Sequence, residues 1–187
     1  CSIYGSSADK KVDETGKMLP LSTYAKSKVE SEVGLKKLAD KNFQVISLRN
    51  ATAFGWSPAL RTDLVANNLC SSAICLGKQV VFSDGEPWRP LVHCRDIAEA
   101  FISFSFLEGL NENFTAINIG SSNINVKVKD IVEIISNSLP ETNAEFKNIA
   151  PDDPRNYRVS FQKLENMFTQ NNPIKTDLKN GIVEMIQ

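Results

Sequence analysis

The sequence predicts an α/β fold organised around a parallel sheet, and three observations predict it. Runs of period-two, β-branched character, "FQVISLR" and "TAINIG", alternate with stretches whose apolar residues recur at helical spacing, the pattern of parallel strands joined by helical crossovers. Breakers fall between those segments, at Gly55, Pro58, Gly77 and Gly120. The 187 residues are 42% hydrophobic and 23% charged, enough apolar material for a globular core.

In chain order, residues 1 to 4 read as the tail of a strand, followed by the polar loop "GSSADKKVDETGKMLP". An amphipathic helix runs from about Ser22 to Asp40, and "FQVISLR" is a buried strand after it. "NATAFGWSPALRT" is loop-like. "DLVANNLCSSAICLG" has helical apolar spacing, with Thr62 or Asp63 as its N-cap and Gly77 as its stop. "QVVFS" and "PLVH" are short strands flanking the turn "DGEPW", and Asp96 starts the largely buried helix "DIAEAFISFSFLEG". "TAINIG" is an inner strand. A helix at "VKDIVEIISNSL", a strand near "AEFKNI", the polar segment "PDDPRNY" and short helices at "FQKLENMF" and "LKNGIVEMI" complete a more irregular second part.

Charge excludes some partners. The 21 basic and 22 acidic residues are spread along the chain for a net charge of -1, which leaves no electrostatic footprint for nucleic acid or an anionic membrane. No apolar run approaches the ~20 residues that cross a bilayer, and a cytoplasmic location is expected by default. Cys1, Cys70, Cys75 and Cys94 lack C-x-x-C spacing and His93 is the one histidine, so they read as reduced, mostly buried thiols with no structural metal.

The stretch "LSTYAKSKVESE" sets Tyr24 four residues before Lys28 in the first predicted helix. Residues so spaced share a helix face with Cβ atoms about 5–6 Å apart. A free tyrosine titrates near pH 10, and a cation beside it in a water-poor site favours the ionised form. On spacing alone two readings stand open: a proton carrier assisted by an amine, or a ring packed on the sheet while Lys28 reaches solvent.

"CSIYG" followed by "DETGKMLPLSTYAKSKVESE" resembles the extended short-chain dehydrogenase/reductase family, the NAD-dependent nucleotide-sugar epimerases and dehydratases. There a Ser/Thr-x-x-x-Tyr-Gly strand end precedes Pro-x-Ser-x-Tyr-x-x-x-Lys and an acid one turn later, here Pro20 and Glu32. "LRNATAFG", "NNLCSSAICLGKQVVFSDGEPWRPLVHCRDIAEAF", "INIG", "DPRNYRVSFQKLENMF" and "GIVEMI" extend the similarity over nearly the whole chain.

The resemblance implies a partial Rossmann-type doubly wound parallel sheet whose N-terminal strands are missing, with a smaller mixed substrate-binding part. It divides the chain into residues 1–53 and 91–120 of the dinucleotide-binding domain and 54–90 and 121–187 of the substrate-binding part. Tyr24 takes the place of the acid/base, and Lys28 that of the residue holding the nicotinamide ribose and easing removal of the phenol proton. Both are therefore expected at the cofactor, NAD, with NADP not excluded. Ser2, Thr52, Asn68 (or its neighbour Asn67), Arg89 and Arg155 are the expected substrate contacts. Arg89 stands where the family grips the diphosphate, a role suited to a bidentate guanidinium, the other reading being a surface residue stacked on Trp88. Arg155 and Tyr157 resemble a late segment that closes over the nucleotide, and His93 is expected to order a strand-to-helix turn rather than do chemistry.

The family's 4,6-dehydratases carry Asp and Glu after the catalytic Thr, where this chain has Cys1 and Ser2. A thiol and a hydroxyl do not replace a carboxylate acid/base pair. The expected activity is therefore that of an NAD(P)-dependent nucleotide-sugar epimerase, the alternatives being a 4-keto-sugar reductase or a truncated, catalytically silent nucleotide-binding module. The resemblance also implies that the glycine-rich pyrophosphate turn lies upstream of Cys1, that the fragment alone is inactive and binds NAD weakly, and that two copies pair through the tyrosine-bearing helix.

Overall fold

The computed structural model describes residues 1–147, 149 and 156–187. Ser2–Tyr4 form a 3-10 turn in place of the expected strand tail. Ser7–Val12 (β1), read from sequence as loop, pairs in parallel with a strand from the far end of the chain. Helix α1 (Thr23–Leu38) begins where Ser22 Oγ accepts the Ala25 N–H at 3.1 Å, and Lys36 and Lys37 in its last turn suit the negative end of the helix dipole. Among the described residues of α1, Ala25 is the only one fully buried.

Val45–Asn50 (β2) enters the interior, and Thr52–Phe54 (β3) is a short strand inside the segment expected to be loop. Helix α2 (Val65–Leu76) starts at Leu64 with no side-chain cap, later than the expected Thr62 or Asp63, because the Asp63 carboxylate is taken up by Arg61. It ends as predicted on Gly77, whose φ of 63° is left-handed. Lys78–Val81 (β4) and Trp88–His93 (β5) flank the 82–87 turn without pairing with each other, so they form no hairpin.

Helix α3 (Cys94–Ser105) begins two residues before Asp96, capped by His93 Nδ1, which accepts the Arg95 N–H. It is less buried than its composition implies: Ala100 and Phe104 face inward, while Phe101 and Ile102 are exposed. Phe114–Ile119 (β6), Asn125–Lys127 (β7), helix α4 (Val128–Ser138), Asn143–Phe146 (β8), Tyr157–Val159 (β9), helix α5 (Gln162–Met167) and helix α6 (Leu178–Ile186) follow.

The ladders β1·β9, β2·β6, β3·β5 and β4·β8 are parallel, and β5·β7 is antiparallel. The β2·β6 register runs from Val45 opposite Phe114 to Asn50 opposite Ile119. Two apolar clusters form the core. One gathers Tyr4, Ala51, Val92, Phe104, Ile117 and Phe161; the other gathers Phe54, Leu69, Leu91, Ile131, Ile135 and Ile182. The chain crosses between them at 51–54 and again at 91–92, so the ends of β2, β3 and β5 lie where the two cores meet.

Asp96, 3% exposed, ties the C-terminal segment to α3. Its Oδ2 accepts the Lys175 and Thr176 N–H groups at 3.1 and 2.9 Å, and its Oδ1 accepts the Thr176 hydroxyl at 2.9 Å. All four cysteines are free, but only Cys70 is fully buried; Cys75 is exposed and Cys1 and Cys94 are half-buried, which corrects the expectation of mostly buried thiols. Among the described residues no helix is long and apolar enough to cross a membrane.

Candidate active site

Tyr24 stands in the first turn of α1, and Lys28 follows one turn later. The Lys28 ammonium lies over the Tyr24 ring, 5.3 Å from its centroid, so the two side chains share a face as their spacing predicts. Tyr24 is 64% exposed, which overturns the reading of a ring packed on the sheet. The 55–64 segment crosses from β3 to α2. Arg61 there grips Asp63 through Nε and Nη2 at 2.8 and 2.6 Å. Those hydrogen bonds and the Asp63 charge raise the Arg61 guanidinium above its ordinary range, with a smaller contribution from the Tyr24 phenol.

A cavity of about 230 Å³ opens between α2, β4 and β5. Thr52 on β3, Asn68 on α2, Arg89 on β5 and Tyr157 on β9 line it together with Asp63 and Phe82. Four residues singled out in sequence from separate segments therefore converge. Arg89 donates from Nη1 to the Trp88 carbonyl at 2.9 Å. The cations set over the Trp88 ring are Lys127 and Arg158, at 5.4 and 5.0 Å from its centroid, rather than Arg89.

The neighbours Asn67 and Asn68 divide their work. Asn67 is buried, accepting the Gly55 N–H on Oδ1 at 3.1 Å and donating from Nδ2 to the Arg61 carbonyl at 3.0 Å. Asn68 is exposed at the cavity and donates to the Thr62 carbonyl at 2.9 Å. Together they pin the 55–62 crossing. Gly55 is required there: its φ is 109°, and a Cβ would meet His93 Nε2 at 2.2 Å. His93 is fully enclosed, stacked edge-on against Phe54 at 5.3 Å, and it orders the start of α3 as expected.

Ser2 sits in the 3-10 turn and lines no part of this cavity. Arg155 lies outside the described residues. Tyr24 and Lys28 are not among the residues that line this cavity.

Sequence reasoning missed Phe82 and Asp63. Phe82 closes the apolar run "QVVF", which reads as core, yet it is 61% exposed at the cavity. It also missed the polar cluster beneath α1. Glu32 accepts from Arg49 Nε at 3.0 Å and Nη2 at 2.5 Å, and from Ser47 Oγ at 2.7 Å. Arg49 Nη1 donates to the Tyr4 hydroxyl at 2.8 Å and to the Glu14 carbonyl at 3.0 Å; Tyr4 in turn donates to Asn118 Oδ1 at 2.7 Å. Burial pushes the Glu32 carboxyl up, but the hydrogen bonds from Arg49 and Ser47 and the Arg49 charge outweigh it and hold the group below the usual carboxylate range. At Tyr4 burial wins, and the phenol is raised above its ordinary value against the pull of Arg49.

Comparison with known proteins places this fold. The chain is 24% identical over 174 residues to the human dTDP-D-glucose 4,6-dehydratase, an alignment covering 88% of the chain and 48% of that protein. Among solved structures it resembles dTDP-glucose 4,6-dehydratase from Bacillus anthracis in complex with NAD (TM-score 0.80, 22% identity, 99% of this chain and 57% of that one). It also resembles UDP-glucuronic acid 4-epimerase from Bacillus cereus in complex with UDP-glucuronic acid and NAD (TM-score 0.80, 19% identity, 97% and 56%). The chain thus spans about half the length of the relatives it matches, and the structural likeness bears out the parallel α/β fold. The family profile described as NAD dependent epimerase/dehydratase matches residues 1–120, and the chain belongs to that family.

Proposed function

We propose that this chain supplies the acid/base pair and most of the nucleotide-sugar site of an NAD(P)-dependent nucleotide-sugar epimerase. The observation that carries the reading is the placement of Lys28 over an open Tyr24 ring, in a chain whose cavity at the α2, β4 and β5 junction gathers Thr52, Asn68, Arg89 and Phe82. Tyr24 takes the proton of a sugar hydroxyl and returns it after the carbon has been inverted. Lys28, one turn along the same helix face, would hold the nicotinamide ribose of the cofactor. An aromatic hydroxyl and an ammonium side by side and open to solvent fit that end of a dinucleotide. When bound, NAD supplies the hydride acceptor and donor at the same carbon.

Arg89 neutralises the diphosphate, and the exposed face of Phe82 offers a stacking surface for the base. Cys1 and Ser2 favour epimerisation over dehydration. The Cys1 thiol donates to the Arg49 carbonyl at 3.0 Å, and neither Cys1 nor Ser2 supplies the carboxylate acid or base that dehydration uses. The exposed Val33, Leu35 and Leu38 of α1 support pairing of two copies through this helix.

The test is a panel of UDP-, dTDP-, GDP- and CDP-sugars incubated with the protein at its full native length, followed by proton NMR for epimers and by nicotinamide absorbance. One pair of epimers interconverting without net cofactor reduction is expected. Stoichiometric cofactor oxidation with a single reduced sugar product assigns the reductase instead, and loss of water assigns a dehydratase.

A further inference from the structure

The helix that carries Tyr24 and Lys28 is poorly held by apolar burial. Ala25 is its only fully buried residue among those described, and Val29 is half-buried against the sheet. A roll of the helix about its axis would move every side chain on the face shared by Tyr24, Lys28 and Glu32. Within this chain the strongest contact opposing such a roll is polar. Glu32 follows Lys28 by one turn, and both its oxygens are taken: Arg49 grips them in a two-point fork at 3.0 and 2.5 Å, with Ser47 adding a third bond at 2.7 Å. Glu32 and Arg49 are 12% and 7% exposed at their side chains, so the fork works where water competes little.

Arg49 is itself held. Its remaining nitrogen donates to the Tyr4 hydroxyl and the Glu14 carbonyl, and Tyr4 donates to Asn118, which is fully buried on β6. The Asn118 N–H donates to Glu14 Oε1 at 2.7 Å and its Nδ2 to the Ser160 carbonyl at 3.1 Å. One guanidinium therefore joins α1, the 2–4 turn, the loop at Glu14 and, through Tyr4, the central strand pair.

We infer that the Arg49–Glu32 fork is a positioning device that fixes the rotation of α1, and with it the aim of Tyr24 and Lys28 at the substrate. The inference rests on the proposed role of Tyr24 as proton carrier. Arg49 and Glu32 touch neither substrate nor cofactor and act only through the helix.

The test uses Arg49→Lys, which keeps the charge and loses the fork, with Glu32→Gln and Glu32→Ala, all in the protein at its full native length. Per folded molecule, Arg49→Lys and Glu32→Ala lower kcat by about 10- to 100-fold while KM for the nucleotide sugar stays within about threefold, the signature of a misaimed group. Glu32→Gln, which keeps an oxygen for Arg49 in the same shape, retains more of kcat than Glu32→Ala. Amide exchange rises over residues 23–31 and is unchanged in α3. If Arg49→Lys does not accumulate as folded protein, Ser47→Ala, which removes one bond to Glu32 and leaves the fork, gives the same direction at about two- to fivefold.

Parental kcat per folded molecule in these variants, with lowered melting temperature alone, overturns the inference and leaves the fork a stabilising contact. Tyr24→Phe separates the two claims. If that variant still turns over, the role of Tyr24 fails; if it is inactive while Arg49→Lys is fully active, only the positioning role fails.

Discussion

Lys28 carries its ammonium 5.3 Å above the centre of the Tyr24 ring, and the ring is 64% exposed. A hydroxyl so open stabilises the fold very little, so its removal separates chemistry from folding. Tyr24→Phe is expected to lower turnover of the nucleotide sugar by at least about 10³-fold, since general acid/base groups contribute of that order. Its melting temperature should stay within about 1 °C of the parent, because surface substitutions change stability by less than about 0.5 kcal/mol. Steady-state kinetics and a thermal melt on the same preparation check both halves. Retained turnover removes Tyr24 from the mechanism.

Arg89 and Phe82 line the cavity from different strand ends, and their variants should divide binding between phosphate and base. Arg89→Lys keeps a point charge but loses the planar fork. It is expected to weaken nucleoside diphosphate binding about 10-fold. Phe82→Ala should weaken it by a similar factor, as stacking of a base on an aromatic ring is worth about 1–3 kcal/mol. Calorimetric titration with UDP and with inorganic pyrophosphate distinguishes them: Arg89→Lys weakens both ligands, Phe82→Ala only the one that carries a base. A Phe82→Ala variant that binds UDP like the parent removes the stacking role.

What the sequence made legible, and what it hid, follows from how local each signal is. Tyr24 and Lys28 were readable because a helix brings residues four apart together whatever surrounds it. The strands β2 and β6 were readable from their β-branched content, although burial does not alternate along either: Arg49 is buried in β2 and Ile117, Asn118 and Ile119 are buried in succession in β6. By contrast β1, "SADKKV", carries no apolar alternation and is a strand only because β9 presents an edge to it from the far end of the chain. The caps were misread where a carboxylate had a better partner elsewhere: Asp63 turns to Arg61, and Asp96 turns to Lys175 and Thr176, leaving His93 to cap α3. The Arg49 cluster joins four separated segments, and no spacing rule connects Tyr4, Glu32, Arg49 and Asn118.

Asn67 and Asn68 give a contrast between adjacent, chemically identical side chains. Asn67→Ala leaves the Gly55 N–H and the Arg61 carbonyl without their buried partner, and an unmade buried hydrogen bond costs about 1–3 kcal/mol. Lowered stability in urea is expected, with ligand affinity reduced only as the 55–61 crossing loosens. Asn68→Ala loses one exposed bond to the Thr62 carbonyl, so its stability should change by less than about 0.5 kcal/mol while affinity for the nucleotide sugar falls. Equal destabilisation by both variants contradicts this division.

His93 makes stability depend on pH in a window that no other side chain of this chain shares, because it is the only histidine. Burial lowers its pKa, outweighing the attraction of Glu184 and Asp96, while Arg95 pushes in the same direction as burial. Glu184 stands 3.7 Å from Nε2, too far for a hydrogen bond, and Nδ1 is committed to the Arg95 N–H, so the neutral ring with its proton on Nε2 suits the site. A base whose folded pKa lies below its unfolded value contributes its full stability above the unfolded value near 6.5, and loses it as pH falls from there toward the folded value. Urea midpoints are therefore expected to be flat from about pH 8 to 7 and to fall as pH drops below about 6.5, before carboxylates such as Glu32 begin to protonate. In His93→Gln, whose overall stability is lower, that limb should vanish and the midpoint should stay level until the carboxylate range. A parental limb that survives in His93→Gln assigns the acid sensitivity to another group.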